Sequence, residues 1–396
     1  MPWSSPVDER RQFILDVKTG IWSFSALCER YGISRQNGYK WLRRYEEHGD
    51  AGLYERSRAP KSCPHKTSPE IEALIIAARK ARPTWGGGAL VGWIAKKDPT
   101  MAPLLPAAST AHEILVRHGM IKRRRKRRGL PPTNPPVTQP KAPNDVWTID
   151  FKGDFRTRDG KRCYPLTMAD DFSRFLLVCK TLPSTSGSEA KPYIEAAFRK
   201  FGLPEVIRSD NGTPFASVGL GRLSRLSVWW IRLGIRIERI QPGKPTQNAR
   251  HERMHKTLKR DTAKPPAGDA RAQQRAFNTF IDRYNHEKPH KAHGGRTPSD
   301  FYCTSYRPYP EQVPQPEYPG FYEVRKVSHH GYVRLRGHQF FLSNTLGGEY
   351  VGLHEVHDDL WSIDFGNVEL ARYDVATKTM HTGGAQPVRV LNASDD

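Results

Sequence analysis

Proline fixes φ and removes a backbone donor, so neither a helix nor a central strand runs through a stretch dense in it. Two such stretches divide the 396-residue chain. Residues 129–140 hold Pro131, Pro132, Pro135, Pro136 and Pro140, and residues 306–319 hold Pro308, Pro310, Pro314, Pro316 and Pro319. They predict a multidomain protein of three blocks, each with its own periodicity. The expected parts are two helical units (1–60 and 61–128), a semi-rigid linker (129–143), an α/β core (144–305), a small all-β barrel (320–380) and a flexible tail (381–396).

The charge is as uneven as the proline. The chain has 63 Lys+Arg against 41 Asp+Glu, a net of +22, and residues 1–130 alone carry 25 against 12. The densest point is seven cations in succession: Lys122, Arg123, Arg124, Arg125, Lys126, Arg127 and Arg128. A solvated tail is the bland explanation. In a chain this basic, contact with a polyanion is the stronger one, because clustered cations bind nucleic acid through counterion release. No apolar run approaches the roughly 20 residues of a bilayer span. Residues 1–10 show no apolar signal segment. The five cysteines form no CxxC pair, which speaks against a disulfide scaffold and fits a reducing cytosol.

The amino-terminal block reads as all-α. Ser23 is placed to cap a short helix carrying Leu27 and Tyr31, Gly32 to make a tight turn, and Ser34 to cap a second helix. Arg35, Gln36 and Asn37 occupy that helix's first turn, where a helix-turn-helix presents side chains to base edges. An ordinary αα-hairpin is the alternative. Further on, Ser68 is expected to cap a helix at 69–81, residues 89–97 to form another, and Ser109 or Thr110 to cap a third at 111–118. This is a second, winged or helix-turn-helix-like unit, and its Ile71, Leu74, Ile75 and Ala78 stripe reads as core.

After the linker the period changes. Val146-Trp147-Thr148-Ile149-Asp150-Phe151 favours a strand around one acid, and Arg158-Asp159-Gly160-Lys161 signals a hairpin. Residues 164–169 and 175–181 then complete a three-stranded meander. An acid in mid-strand is costly unless it is paired or binds metal. Ser186 and Glu189 suggest a capping box for a helix running to Gly202. Residues 206–209 form a strand that ends at Asp210-Asn211-Gly212, which is a turn or a strand-end site. A helix at 222–233 and a strand at 235–240 follow. Pro242-Gly243-Lys244-Pro245 then enters a basic helix with one early acid, Glu252. Glu252, Lys256 and Lys259 share a face, either as a salt-bridge ladder or as a metal-binding Glu beside two phosphate-gripping lysines. His251 and His255 are expected to be exposed. Asp170 and Asp171 are expected to shape a strand end, and Asn211 and Gly212 to support the loop behind Asp210.

A strand Asp150, then Asp210-Asn211-Gly212 60 positions on, then Pro-Gly-Lys-Pro and Glu252 a further 42 on, resembles the catalytic core of DDE transposases and retroviral integrases. Asp170-Asp171-Phe172-Ser173-Arg174 resembles the end of that core's second strand. Asn285-His286-Glu287-Lys288-Pro289-His290, followed by Thr297-Pro298, resembles its closing segment. The likeness covers about residues 144–302. With the helical units before it, the whole chain resembles a bacterial insertion-sequence transposase. The resemblance implies a ribonuclease-H-like core, a mixed five-stranded sheet with helices, and agrees with the small carboxyl-terminal barrel. It implies that Asp150, Asp210 and Glu252 are catalytic and hold Mg²⁺ (or Mn²⁺), two ions per active site, with Asp150 bridging them. Lys256 and Lys259, like Arg35, Gln36, Asn37 and the cationic run, would contact DNA. Expected partners are double-stranded DNA (the element's terminal inverted repeats and target DNA) and further copies of the chain on that DNA, with no membrane. The expected location is the cytoplasm, at the nucleoid. A catalytically silent DNA-binding regulator is the alternative, and no Arg/His/Tyr constellation favours a tyrosine recombinase.

Overall fold

A computed structural model describes residues 6–56, 66–121, 138–217, 219–241, 245–381 and 387–388. The cationic run 122–128, linker residues 129–137, Pro242-Gly243-Lys244 and most of the expected tail lie outside the described residues. The chain divides into two compact units, Met1–Lys66 and Thr67–Asp396.

The first unit is a three-helix cluster of α1 (Pro6–Thr19), α2 (Phe24–Arg30) and α3 (Arg35–His48). The Ser23 hydroxyl accepts from Ala26 N–H and the Ser34 hydroxyl from Asn37 N–H, so both expected caps form. Helix α1 was not expected from the sequence. Its Phe13 and Ile14 close a core with Leu27, Cys28, Trp41 and Leu53. Gly38 makes the close crossing possible: a Cβ there would meet Cys28 Sγ at 2.8 Å and the Phe24 ring at 2.9 Å.

The second unit begins with α4 (Pro69–Ala81), α5 (Gly87–Lys97) and α6 (Ala108–Arg117). Ser68 caps α4 as expected, and the Ile71, Ile75 and Ala78 stripe is core. Helix α6 starts at Ala108, so Ser109 and Thr110 lie inside its first turn and cap nothing.

The centre is a sheet of β1 (Val146–Phe151), β3 (Arg162–Asp170), β4 (Leu176–Leu182), β5 (Val206–Ser209) and β6 (Arg236–Arg239), ordered β4-β3-β1-β5-β6. The two-residue β2 (Phe155–Arg156) pairs with the start of β3. The β1–β3 and β3–β4 pairs are antiparallel, whereas β1–β5 and β5–β6 are parallel, so the sheet is mixed as expected. Helices α7 (Gly187–Phe201) and α8 (Arg225–Arg232) cover one face, and α9 (Ala249–Thr262) and α10 (Ala270–Asp282) cover the other. Ser186 caps α7 through Ser188 N–H. Ser224 starts α8 three residues later than expected, in a capping box with Ser227.

Strand alternation sorts the side chains. Trp147 and Ile149 of β1, with Leu166 and Met168 of β3, pack towards Ile194, Phe198 and Trp230. Thr148 and Asp150, and Thr167 opposite Asp150, therefore face α9.

The carboxyl-terminal region is all-β, but among the described residues its hydrogen bonding does not close into the expected barrel. Strands β7 (Glu323–Lys326), β10 (Tyr350–His357), β11 (Leu360–Phe365), β12 (Val368–Asp374), β13 (Thr379–His381) and β14 (Pro387–Val388) form an open antiparallel sheet, ordered β14-β13-β12-β11-β10-β7. A separate hairpin, β8 (Tyr332–Leu335) and β9 (His338–Phe341), packs into the same core. The second proline-rich stretch is strapped to the central sheet layer. Arg307 donates to the carbonyls of Pro204 and Leu233, and Arg232 donates to those of Val313 and Pro314.

Candidate active site

Three chain segments meet at one end of the central sheet. Asp150 comes from β1, Asp210 follows the last residue of its parallel neighbour β5, and Glu252 lies in the first turn of α9. All three are half-buried. Burial raises the Asp150 carboxyl to about 7, Asp210's charge adds to that rise, and Glu252's charge adds a smaller push. Asp210 and Glu252 thus both lie within electrostatic reach of Asp150, an arrangement that suits a hard divalent cation. Gly212 N–H donates to Asp210 Oδ1 at 3.2 Å, and Asn211 Nδ2 donates to Ile240 O at 2.6 Å. The loop after β5 is thereby tied to the end of β6.

Asp150 gives the metal-free chain a pH signature. Its carboxyl keeps a proton in the fold between about pH 4 and 7 that the unfolded chain has released, so stability falls as pH rises through that window. In EDTA, Asp150→Asn is expected to melt above wild type by a larger margin at pH 8 than at pH 4.5. A margin that does not change with pH would overturn the assignment.

His251 and His255 correct the sequence expectation. They are 2% and 4% exposed rather than on the surface. His251 Nδ1 lies 2.7 Å from Thr148 Oγ1 and its Nε2 lies 2.8 Å from Thr167 Oγ1. His255 Nε2 is 2.7 Å from the same Thr167 oxygen, and its Nδ1 is 3.7 Å from Asp150 Oδ2. Burial pushes His251 down to about 4, and pushes His255 far below the ordinary imidazole range with His251 adding to the effect. The signal was in the sequence: His251, Met254, His255, Leu258 and Thr262 recur at helical spacing and form the buried face of α9.

Beside this cluster the end of β3 is held by buried ion pairs. Asp170 accepts from Asn144 N–H at 2.8 Å and from Ser173 N–H at 2.7 Å. Asp171 pairs with Arg208 at 2.9 Å, and Arg208, 1% exposed, also reaches Glu238 at 2.6 Å. Both aspartates shape the strand end as expected; Arg208 was not singled out from the sequence. Asn285, in the π-helical turn Arg283–Glu287 after α10, receives Leu176 N–H at 2.8 Å and donates to Leu176 O at 3.0 Å.

Lys256 and Lys259 are exposed on α9, and no ion pair among the described residues joins either to Glu252. Arg35, Gln36 and Asn37 are exposed on the first turn of α3 in the first unit. Among the described residues, no helix is long and apolar enough to cross a membrane.

Family models described as an integrase core domain match residues 140–245 and 233–298. A helix-turn-helix domain matches residues 9–61, and a homeodomain-like domain matches 37–115. The insertion element IS407 uncharacterized 31.7 kDa protein of Burkholderia multivorans is 32% identical over 182 residues, covering 46% of this chain and 63% of that protein. The insertion element IS476 uncharacterized 39.2 kDa protein of Xanthomonas euvesicatoria is 29% identical over 182 residues, covering 46% of this chain and 50% of that protein. The chain thus spans between half and two thirds of the length of these relatives. Among solved structures, the HTLV-2 integrase catalytic core domain in complex with magnesium aligns at 17% identity with a TM-score of 0.32, over 41% of this chain and 99% of that one. Integrase core domain matches over residues 140–298, preceded by helix-turn-helix and homeodomain-like matches, make this chain similar to proteins of insertion elements.

Proposed function

We propose that the chain is a DDE transposase that binds the ends of a mobile DNA element and carries out cleavage and strand transfer by in-line phosphoryl transfer. The observation that carries this is the placement of Asp150 on β1 beside the parallel strand β5 that ends at Asp210, with Glu252 in the first turn of the helix packed on the same face. Two Mg²⁺ or Mn²⁺ ions, when bound, would activate the attacking oxygen and stabilise the leaving one. Asp150, within electrostatic reach of both other acids, would hold the ions together with them. Asp210 is presented by a loop tied down through Asn211, and Glu252 by the first turn of α9. Lys256 and Lys259 project from the same helix and would hold DNA phosphates, with the cationic run 122–128 adding non-specific affinity. Arg35, Gln36 and Asn37 would read base edges. The carboxyl-terminal sheets would contact DNA or a second copy of the chain.

The test is incubation of the full chain with DNA ending in the flanking inverted repeats and Mg²⁺, scoring nicking at the 3′ end and joining to target. Metal-dependent nicking and joining is the expected result. Binding to the ends without either reaction would instead favour a silent DNA-binding regulator.

A further inference from the structure

The cluster behind Asp150 has a proton arrangement that can be worked out from its hydrogen bonds. Thr148 has one hydroxyl hydrogen, donated to the backbone carbonyl of Ala169 at 3.2 Å. His251 Nδ1, 2.7 Å from the Thr148 hydroxyl oxygen, donates to it, so the Nε2 of the neutral His251 takes the Thr167 hydrogen at 2.8 Å and His255 Nε2 donates into a Thr167 lone pair at 2.7 Å. His255 therefore carries its hydrogen on Nε2 and a free lone pair on Nδ1. That lone pair faces Asp150 Oδ2 across 3.7 Å.

A carboxylate oxygen and an imidazole lone pair repel each other unless a proton or cation lies between them. The gap is too long for one hydrogen bond. It is close to the spacing of about 3.4 Å between two ligands of a tetrahedral ion with bonds near 2.0–2.1 Å. A metal-binding histidine typically donates its other ring N–H to a fixed acceptor, and Thr167, held by His251, is such an acceptor. Ligand atoms of Asp150, His251 and His255 all lie within 4.8 Å of one another. The hydrogen bonds separate their roles, because both nitrogens of His251 are engaged by Thr148 and Thr167. His251 is a positioning residue that fixes α9 against β1 and β3.

We propose that His255 Nδ1 is a nitrogen ligand to the ion held by Asp150, so that this position takes an imidazole-favouring transition metal such as Co²⁺ or Zn²⁺ more tightly than Mg²⁺. The proposal rests on the preceding reading for Asp150's role as a metal ligand. It also implies that Zn²⁺ competes with Mg²⁺ at one of two otherwise oxygen-lined positions.

The test is Co²⁺ titration of the full chain, followed by visible absorption, with Mg²⁺ as competitor. In His255→Gln and His255→Ala, Co²⁺ affinity is expected to fall by about tenfold or more, and Mg²⁺ affinity by much less. Co²⁺ affinity within about twofold of wild type in variants that melt normally would overturn the proposal. If both variants melt early, pulsed EPR of wild type loaded with Cu²⁺ decides. Histidine nitrogen coupling that Asp150→Asn weakens supports the site, and its absence overturns it. DNA-end joining in Mg²⁺ without nitrogen coupling would remove this ligand and leave the transposase reading standing. Nitrogen coupling without any end cleavage would do the reverse.

Discussion

Asp150→Asn is expected to lower strand transfer by at least ~1,000-fold, about 4 kcal/mol of barrier, while affinity for element-end DNA stays within about twofold of wild type. The size follows from position. Asp150 lies in the strand between β3 and β5, within electrostatic reach of both other acids. Asparagine keeps the shape and one oxygen but loses the charge that would draw divalent ions together. DNA binding survives because the groups assigned to it, on α3, the cationic run and the outer face of α9, are distant in sequence or exposed. The measurement is a joining assay with labelled end DNA beside a binding isotherm at matched salt. A variant that still joins ends removes Asp150 from the chemistry.

The second large effect concerns stability. Arg208→Met is expected to cost about 3 kcal/mol in urea unfolding. Arg208 is buried between Asp171, Glu238 and the carbonyl of Thr138. Removing it leaves Glu238, its side chain 10% exposed, without its cation, and breaking a largely buried pair costs far more than the pair contributes against an apolar replacement. Asp171 keeps Arg174 at 3.2 Å and Arg250 at 3.3 Å, which places the cost at the lower end of the range for such losses. A loss below about 1 kcal/mol would mean that the network is not what holds the end of β5. Arg208 stands two residues before Asp210, so the same variant is expected to loosen that acid and slow joining more than binding.

Much of this was readable in the sequence because it is local. The caps at Ser23, Ser34 and Ser68, the β1–β3–β4 meander and the strand before Asp210 depend on neighbours a few residues away. The three acids were legible because their residue types and spacing resemble a known core. What was missed is non-local. His251 and His255 read as polar helix residues until two threonines from different strands supplied hydrogen-bond partners. Arg208 looked like one more cation in a basic chain, although its partners come from the end of β3 and from β6. The barrel was expected from strand alternation, and alternation says which side chains face inward but not whether the last strand returns to the first.

Helix α8 is only eight residues long, yet it contributes to two cores. Leu226, Trp229 and Trp230 enter the core of the central sheet, while Val228 and Ile231 enter the core of the carboxyl-terminal sheets. A helix that is apolar on opposite sides is a shared wall, and neither neighbour can melt without wetting the other's lining. The part of the chain that presents Asp210 and the part that follows the proline-rich strap are therefore coupled in folding, and damage to the distal sheet reaches the acids through that wall.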